Sequence, residues 1–188
     1  MRILLISAST RSASTNSAAL RAMHEHRPAG IDTVWYEDQD EDETGLASLP
    51  AFNPDDEDDL PPAVVTLRAT IDSADAVLFC TPEYAGSLPG SFKNLLDWTV
   101  RGGNLYGKPV AYVSVAAQGR GEGAEANLRS VLGYVGATLI ADACARVFVD
   151  REAVGPDGRV TDRPTRDQLV AALVHLAEAA ATATAPSQ

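Results

Sequence analysis

The chain has 188 residues, of which 45% are apolar, and it carries a formal net charge of −11. This size and composition suit one domain with a hydrophobic core, which we expect over residues 1–181, followed by a disordered tail over 182–188. The charge balance excludes a nucleic-acid-binding protein, because no basic surface is visible, and no apolar run is long enough to cross a bilayer.

Five predicted strands alternate with five predicted helices. The strands are short apolar runs, and the helices have apolar residues at helical spacing. The first three helices are marked at their starts by Asn16 as N-cap, by the Pro61-Pro62 pair, and by Gly86 or Ser87 followed by Pro89. In chain order we expect strand 2–8, helix 16–27, strand 31–36, helix 61–74, strand 75–80, helix 87–101, strand 109–115, helix 122–135, a fifth strand in the pieces 138–140 and 146–149, and helix 164–181.

This alternation is typical of an α/β domain in which a parallel sheet carries helices on both faces. Such sheets bind ligands beyond the carboxyl ends of their strands, where the strand order reverses. The loops that follow the first, third and fourth strands, over residues 9–15, 81–87 and 116–123, are therefore the candidate binding loops.

The negative charge is concentrated in one stretch. Residues 37–59 contain eleven acids and no base, whereas the remainder holds 15 acids and 15 bases. We expect a mobile, solvated loop over 38–59, with a lid or a partner surface as the alternative.

The cysteines and histidines show no ligand spacing. Cys80 and Cys144 form no C-x-x-C pair and are expected to be buried and reduced, which indicates a cytoplasmic protein. His24, His26 and His175 lack a metal-binding pattern, so no metal site is predicted.

The loop 9–15 has the composition of a phosphate-binding loop. It carries five hydroxyls and Arg11 directly before a helix N-terminus, and the chain has no carboxylate before Glu25. The helix end supplies free N–H groups and a positive dipole. The loop lacks G-x-G-x-x-G and G-K-[ST], which favours a terminal monophosphate over a dinucleotide or a nucleoside triphosphate. An ordinary serine-rich turn is the alternative interpretation.

The loop 81–87 is stiff and carries an aromatic residue. Pro82 ends the third strand, and Gly86 allows a tight path towards the next helix. Backbone N–H groups between Glu83 and Ser87 could point at the edge of a ligand, and Tyr84 could pack its ring against a flat one. A surface-packed tyrosine is the alternative.

Together these two loops resemble the NADPH-dependent FMN reductase family, whose members have a flavodoxin-like fold and include quinone, azo-dye and chromate reductases. The similarity covers most of residues 1–150 and implies a five-stranded parallel sheet of order 2-1-3-4-5. The matching motifs are Ser9-x-Arg11-x-x-Ser14-x-Asn16 and the longer Thr81-Pro82-Glu83-Tyr84-x-x-Ser87-x-Pro89-Gly90-x-x-Lys93-Asn94-x-x-Asp97-Trp98.

The resemblance implies that the first loop binds the FMN phosphate and that the loop 81–87 lines the isoalloxazine ring. The chain departs from the family at Ala8, usually Gly, and at Ala85, usually Asn. Its third loop also lacks the usual Ser-x-Gly start, so Gln118 and Gly119 are weaker ring contacts. The implied cofactor-binding residues are Ser9, Arg11, Ser14, Thr15, Asn16, Pro82, Glu83, Tyr84, Ala85, Gly86, Ser87, Gln118 and Gly119.

The function implied by the resemblance is hydride transfer from NAD(P)H through bound FMN to a quinone, free flavin or similar small acceptor, with no catalytic side chain. Two alternatives stay open: a flavodoxin-type electron-transfer protein, and a flavin-free binding or regulatory module. The Pro-Glu-Tyr motif favours the reductase. The resemblance also implies a homodimer or homotetramer, for which the helix over 92–101 is the candidate interface unless Trp98 belongs to the core.

Overall fold

The fold combines one parallel sheet with five α-helices. The computed structural model describes residues 1–11, 13–36 and 45–184. Within these ranges the strands are β1 (Arg2–Ser7), β2 (Asp32–Trp35), β3 (Ala76–Cys80), β4 (Pro109–Ser114), β5 (Thr138–Leu139) and β6 (Ala145–Arg146). The helices are α1 (Thr15–Glu25), α2 (Pro62–Asp72), α3 (Gly90–Trp98), α4 (Glu122–Tyr134) and α5 (Arg163–Thr184).

The sheet has the order β2-β1-β3-β4-β5, and all of its strand pairs are parallel. β6 also pairs with β4, beyond β5 along the same edge, and a short 3-10 turn over 141–143 separates the two pieces. The predicted flavodoxin-like order and the interrupted fifth strand are therefore confirmed.

Two hydrophobic cores lie on opposite faces of this sheet. In β1 the side chains alternate between them: Ile3 and Leu5 join the core formed with α1 and α5, whereas Leu4 and Ile6 join the core formed with α2, α3 and α4. All four are fully buried. This two-sided burial explains why β1 is a continuous apolar run, and it confirms helices on both faces.

Several predicted element ends differ from the structure by up to three residues, and three of these differences bear on the site or on the chain's end. Ser14, not Asn16, caps α1, because its Oγ accepts hydrogen bonds from the N–H groups of Asn16 (3.1 Å) and Ser17 (3.4 Å). α3 begins at Gly90 with Pro89 as its N-cap, because residues 84–87 form a separate turn. α5 continues to Thr184, three residues into the predicted tail, and residues 185–188 lie outside the described residues.

The acidic segment is partly anchored. Residues 37–44 lie outside the described residues, so mobility there stays a prediction. The later part contains a 3-10 turn over 54–58, in which the side chain of Glu57 is buried and forms an ion pair with Arg68 at 2.8 Å. The Nε of Arg68 donates to the carbonyl of Trp98. The predicted loop therefore includes a section that is tied to α2 and α3.

Trp98 is a core residue. Its side chain is fully buried, its indole N–H donates to the carbonyl of Pro50 (2.9 Å), and Phe52 packs edge-on against its ring. The core alternative is therefore correct for Trp98, and an interface through the rest of the helix over 92–101 stays a prediction.

Both cysteines are free thiols. Cys80 is fully buried and Cys144 is half-buried, and in each case burial raises the pKa of the thiol. The expectation of burial is confirmed for Cys80 and holds only in part for Cys144. None of the helices in the described ranges is both long and apolar enough to cross a membrane.

Candidate active site

The three candidate loops meet at one edge of the sheet. Ser7 at the end of β1 lies beside Cys80 of β3, which lies beside Val113 of β4. The loops that follow these strands therefore start side by side. Two adjoining cavities open there, one of about 220 Å³ at the first loop and one of about 570 Å³ between the second and third loops.

The smaller cavity has a polar, cationic wall built by the first loop. Ser9, Arg11, Ser14, Thr15 and Asn16 all border it, as the sequence analysis predicted for a phosphate. Ser9 and Ser14 are almost fully buried. The guanidinium of Arg11 forms no ion pair with any carboxylate of the described residues. An anion from outside the chain is the partner that this arrangement favours.

Asn16 is oriented by the buried thiol of Cys80. The Sγ of Cys80 donates to the Oδ1 of Asn16 at 3.3 Å. Asn16 is itself almost fully buried, and it borders both cavities. Because its oxygen is engaged by the thiol, its amide nitrogen is left as the group that can donate to a ligand.

Residues 84–87 form a tight hairpin turn. The N–H groups of Tyr84 and Ser87 each donate to the other residue's carbonyl at 3.0 Å. Both central residues have positive φ, 50° at Ala85 and 72° at Gly86, which is the pattern of a type I′ turn. The turn therefore uses the N–H groups of Tyr84 and Ser87 internally, and ligand contacts from the other N–H groups of this loop stay a prediction.

The turn also decides which residues of the second loop reach the cavities. Pro82 and Glu83 border both cavities, and Tyr84, with half of its side chain exposed, borders the smaller one. Ala85, Gly86 and Ser87 border neither cavity, so their contact with the ring stays a prediction.

Ala85 gives a test of the turn. It is the only residue other than glycine with positive φ within the described ranges. Asn tolerates this backbone conformation better than Ala does, and Asn-Gly is a preferred type I′ pair. We expect Ala85→Asn to raise the free energy of unfolding by about 0.5–1 kcal/mol, measured by urea denaturation. Ala85→Val, which is β-branched, should lower it, and equal stability of both variants would contradict the turn geometry.

The carboxylate of Glu83 caps helix α4. Its Oε2 accepts hydrogen bonds from the N–H groups of Gly123 (2.7 Å) and Ala124 (3.1 Å). The helix's own N-cap is Gly121, with φ of 86° and no side chain to supply a cap. Glu83 therefore supplies the missing acceptor across 40 residues and locks the second loop onto α4. The carboxylate of Glu83, a predicted residue of the ring-binding loop, therefore acts as a positioning group.

The third loop borders the larger cavity through other residues than the predicted ones. Gln118 and Gly119 lie exposed at its tip and border neither cavity, so their contact with the ring stays a prediction. Ala116, Ala117 and Arg120 border the larger cavity in their place.

Sequence reasoning missed the segment after β6. Phe148, whose side chain is 54% exposed, borders the larger cavity, and Arg151 borders both. The preceding Arg146 donates to the carbonyl of Arg120 and to Glu125, which ties this segment to α4 and the third loop. The sequence could have indicated this segment, because ligands bind beyond the carboxyl ends of parallel strands and this rule applies equally to the predicted fifth strand.

The joined cavities form one cleft with two chemically different ends. Arg11 and Arg151 stand at the hydroxyl-rich end, whereas Val115 and Phe148 give the larger cavity an apolar wall, beside the charged residues Arg120, Asp150 and Glu152. A phosphate suits the first end and a flat aromatic ring suits the second. The residues present therefore fit FMN.

A family comparison agrees with this geometry. Residues 1–148 match the model of the NADPH-dependent FMN reductase family. The chain belongs to this family. The resemblance found in the two loops is therefore confirmed, as are FMN as the cofactor, NAD(P)H as the electron donor and oxidoreductase as the class of enzyme.

Individual relatives agree with the assignment of the chain to this family. The chain is 31% identical over 182 residues to probable NADPH:quinone oxidoreductase 1 of Oryza sativa subsp. japonica, covering 94% of this chain and 90% of that one. It is 32% identical over 171 residues to an NAD(P)H-dependent FMN reductase of Pseudomonas aeruginosa, covering 89% and 88%. A second rice relative, probable NADPH:quinone oxidoreductase 2, is 36% identical over 123 residues but is matched over only 58% of its own length.

A solved structure supports the same fold. FerB, the flavoenzyme NAD(P)H:(acceptor) oxidoreductase of Paracoccus denitrificans, superposes with a TM-score of 0.76 at 27% identity. The match covers 94% of this chain and 95% of FerB.

Proposed function

We propose that the protein is an FMN-dependent reductase that takes hydride from NAD(P)H and reduces a quinone or a similar planar acceptor. The observation that carries this proposal is the cleft, whose cationic, hydroxyl-rich end continues into an open apolar end. The names of the two rice relatives, both quinone oxidoreductases, support the choice of acceptor.

FMN, when bound, supplies the hydride chemistry. The chain's own residues would bind FMN and orient it. Arg11 and Ser9 would hold the phosphate, and Asn16 would donate through its amide nitrogen. Pro82 would present a rigid backbone to the ring, since Glu83 holds this loop against α4. Phe148 borders the apolar part of the cleft, where a planar donor or acceptor would pack against it.

Steady-state oxidation of NADPH and NADH by the FMN-loaded protein tests this function. We expect the rate of nucleotide oxidation to exceed the background reaction with oxygen only when a quinone such as 1,4-benzoquinone is present. A protein that binds FMN but oxidises neither nucleotide would instead be an electron-transfer flavodoxin. A protein that binds no flavin would be a binding or regulatory module.

We further propose a homodimer or homotetramer in the cytoplasm. Trp98 offers no surface for assembly, but Tyr106 and Tyr134 are large and strongly exposed, which supports an interface on that side of the sheet. The free thiols of Cys80 and Cys144 are consistent with a reducing compartment. Light scattering after gel filtration measures the assembly, and Tyr134→Glu should shift it towards the monomer.

A further inference from the structure

Arg151 brings a second guanidinium to the end of the cleft where Arg11 lies. It borders both the smaller and the larger cavity, although the two arginines lie far apart in the sequence. The motifs that assign cofactor-binding residues to this chain do not include Arg151. Its role therefore has to follow from its position and from the groups around it.

The segment before Arg151 is fixed to the sheet. The N–H groups of Val147 and Val149 donate to carbonyls at the end of β4 and just beyond it, at 2.9 Å and 3.3 Å, so the segment continues the pairing of β6 with β4. Both valine side chains are buried. The side chain of Asp150 then accepts a hydrogen bond from a backbone N–H of the 3-10 turn over 151–153. Arg151 therefore leaves the sheet from a well-held backbone at the edge where the three loops start.

The guanidinium of Arg151 has no partner within the described residues. Its side chain is exposed, and it forms no ion pair with any carboxylate that the structure describes. The neighbouring acids Asp150 and Glu152 border the larger cavity but not the smaller one. Among the described residues the one carboxylate at the smaller cavity belongs to Glu83, and its Oε2 already caps α4. Arg151 is therefore available to an anion from outside the chain.

The hydroxyls of the first loop are available as donors in the same place. The Oγ of Ser14 accepts from the N–H groups of Asn16 (3.1 Å) and Ser17 (3.4 Å), and the Oγ of Ser9 accepts from the N–H of Arg11 (3.4 Å). Because both hydroxyls accept from the backbone, each keeps its own proton for a further acceptor. The oxygens of an ionised phosphate are such acceptors.

The charge of a phosphate monoester calls for more than one cation. It carries up to about two negative charges at neutral pH, and a single arginine balances one of them. An arginine fork can also donate two parallel hydrogen bonds to phosphate oxygens. We propose that Arg151 is a second arginine of the FMN phosphate site, so that the phosphate is held between the first loop and the segment after β6. This inference rests on FMN binding within the proposed function, and not on which acceptor the enzyme reduces.

The test measures how strongly the apoprotein prefers FMN to riboflavin, which lacks the phosphate. We expect Arg151→Ala to weaken FMN binding by about 10- to 100-fold and riboflavin binding by less than about threefold. Arg151→Lys keeps the charge but loses the fork, so it should recover only part of the lost affinity. The double variant Arg11→Ala/Arg151→Ala should distinguish the two flavins less than either single variant does. Flavin titration followed by fluorescence gives the affinities.

Arg120→Ala is the matched comparison. Arg120 borders the larger cavity but not the smaller one, and it also has no ion pair within the described parts of the chain. Its removal takes the same charge from the cleft, so it measures the effect of the general positive potential. The preference for FMN should change by less than about threefold in this variant. Urea denaturation should give Arg151→Ala the stability of the parent protein, because its side chain has no partner to lose.

Every result supports or overturns the inference. Equal losses for FMN and riboflavin in Arg151→Ala would place Arg151 at the flavin ring, and no loss for either would remove it from the cofactor site; both overturn it. An equally large loss of FMN preference in Arg120→Ala would also overturn it, because the general potential would then explain both variants. The titrations contain no nicotinamide nucleotide and no acceptor. A protein that prefers FMN through Arg151 but oxidises neither NADPH nor NADH would therefore support this inference while rejecting the proposed reaction.

Discussion

Gly123→Ala is expected to lower the free energy of unfolding by about 2 kcal/mol. Alanine alone would favour the helix by about 1 kcal/mol, but the added Cβ would lie 2.2 Å from the carbonyl oxygen of Gly86. That oxygen belongs to the backbone of the turn over 84–87, so it cannot rotate away. The turn must move off α4, which also breaks the hydrogen bond from the Gly123 N–H to Glu83.

Gly133→Ala on the same helix is the matched control. No heavy atom lies within 4 Å of its added Cβ, so only the helix-propensity gain of up to about 1 kcal/mol remains. Urea denaturation should therefore give changes of opposite sign for the two variants. FMN binding should weaken only in Gly123→Ala, because only that change displaces the second loop. Stabilisation by both substitutions would show that the loop and α4 are not in contact.

Arg11→Ala is expected to weaken FMN binding by about 10- to 100-fold, since a charged hydrogen bond contributes about 1.5–3 kcal/mol. Arg11 borders the cavity assigned to the phosphate and has no carboxylate partner among the described residues. Riboflavin lacks the phosphate, so it should bind poorly to the parent protein and lose little more in the variant. Titration of the apoprotein with both flavins gives the two affinities.

The comparison with riboflavin separates a phosphate contact from general damage to the cleft. Arg101→Ala removes an exposed arginine far from the first loop and should leave both affinities unchanged. Equal losses for FMN and riboflavin in Arg11→Ala, or no loss for either, would mean that this loop does not hold the phosphate.

The sheet and the first loop were predictable because their signals are local. An apolar run such as β1, buried on both faces, is typical of a parallel sheet, and the hydroxyls around Arg11 are typical of an anion-binding turn. The family motif added the strand order and the cofactor. None of these inferences depends on contacts between residues that lie far apart in the sequence.

The rest depends on contacts between distant residues. The sequence predicts Glu83 as a residue of the cofactor-binding loop. Only the folded chain shows that its carboxylate accepts hydrogen bonds from the N-terminus of α4. Arg151 follows the predicted fifth strand, so the sequence places it at the correct edge of the sheet, but only the folded chain shows that it borders the cavity at the first loop. Trp98 is ambiguous for the same reason, since the acceptor for its indole N–H lies 48 residues away.

The burial of Cys80 has a chemical consequence for the proposed reduction of quinones. Quinones are electrophiles that alkylate thiolates, and only the deprotonated sulfur is a strong nucleophile. Cys80 lies directly beneath the cleft, yet it is fully buried, its pKa is raised by that burial, and its proton is donated to Asn16. The sulfur beneath the cleft is therefore kept in its unreactive form, which would protect the protein against covalent inactivation by a quinone acceptor.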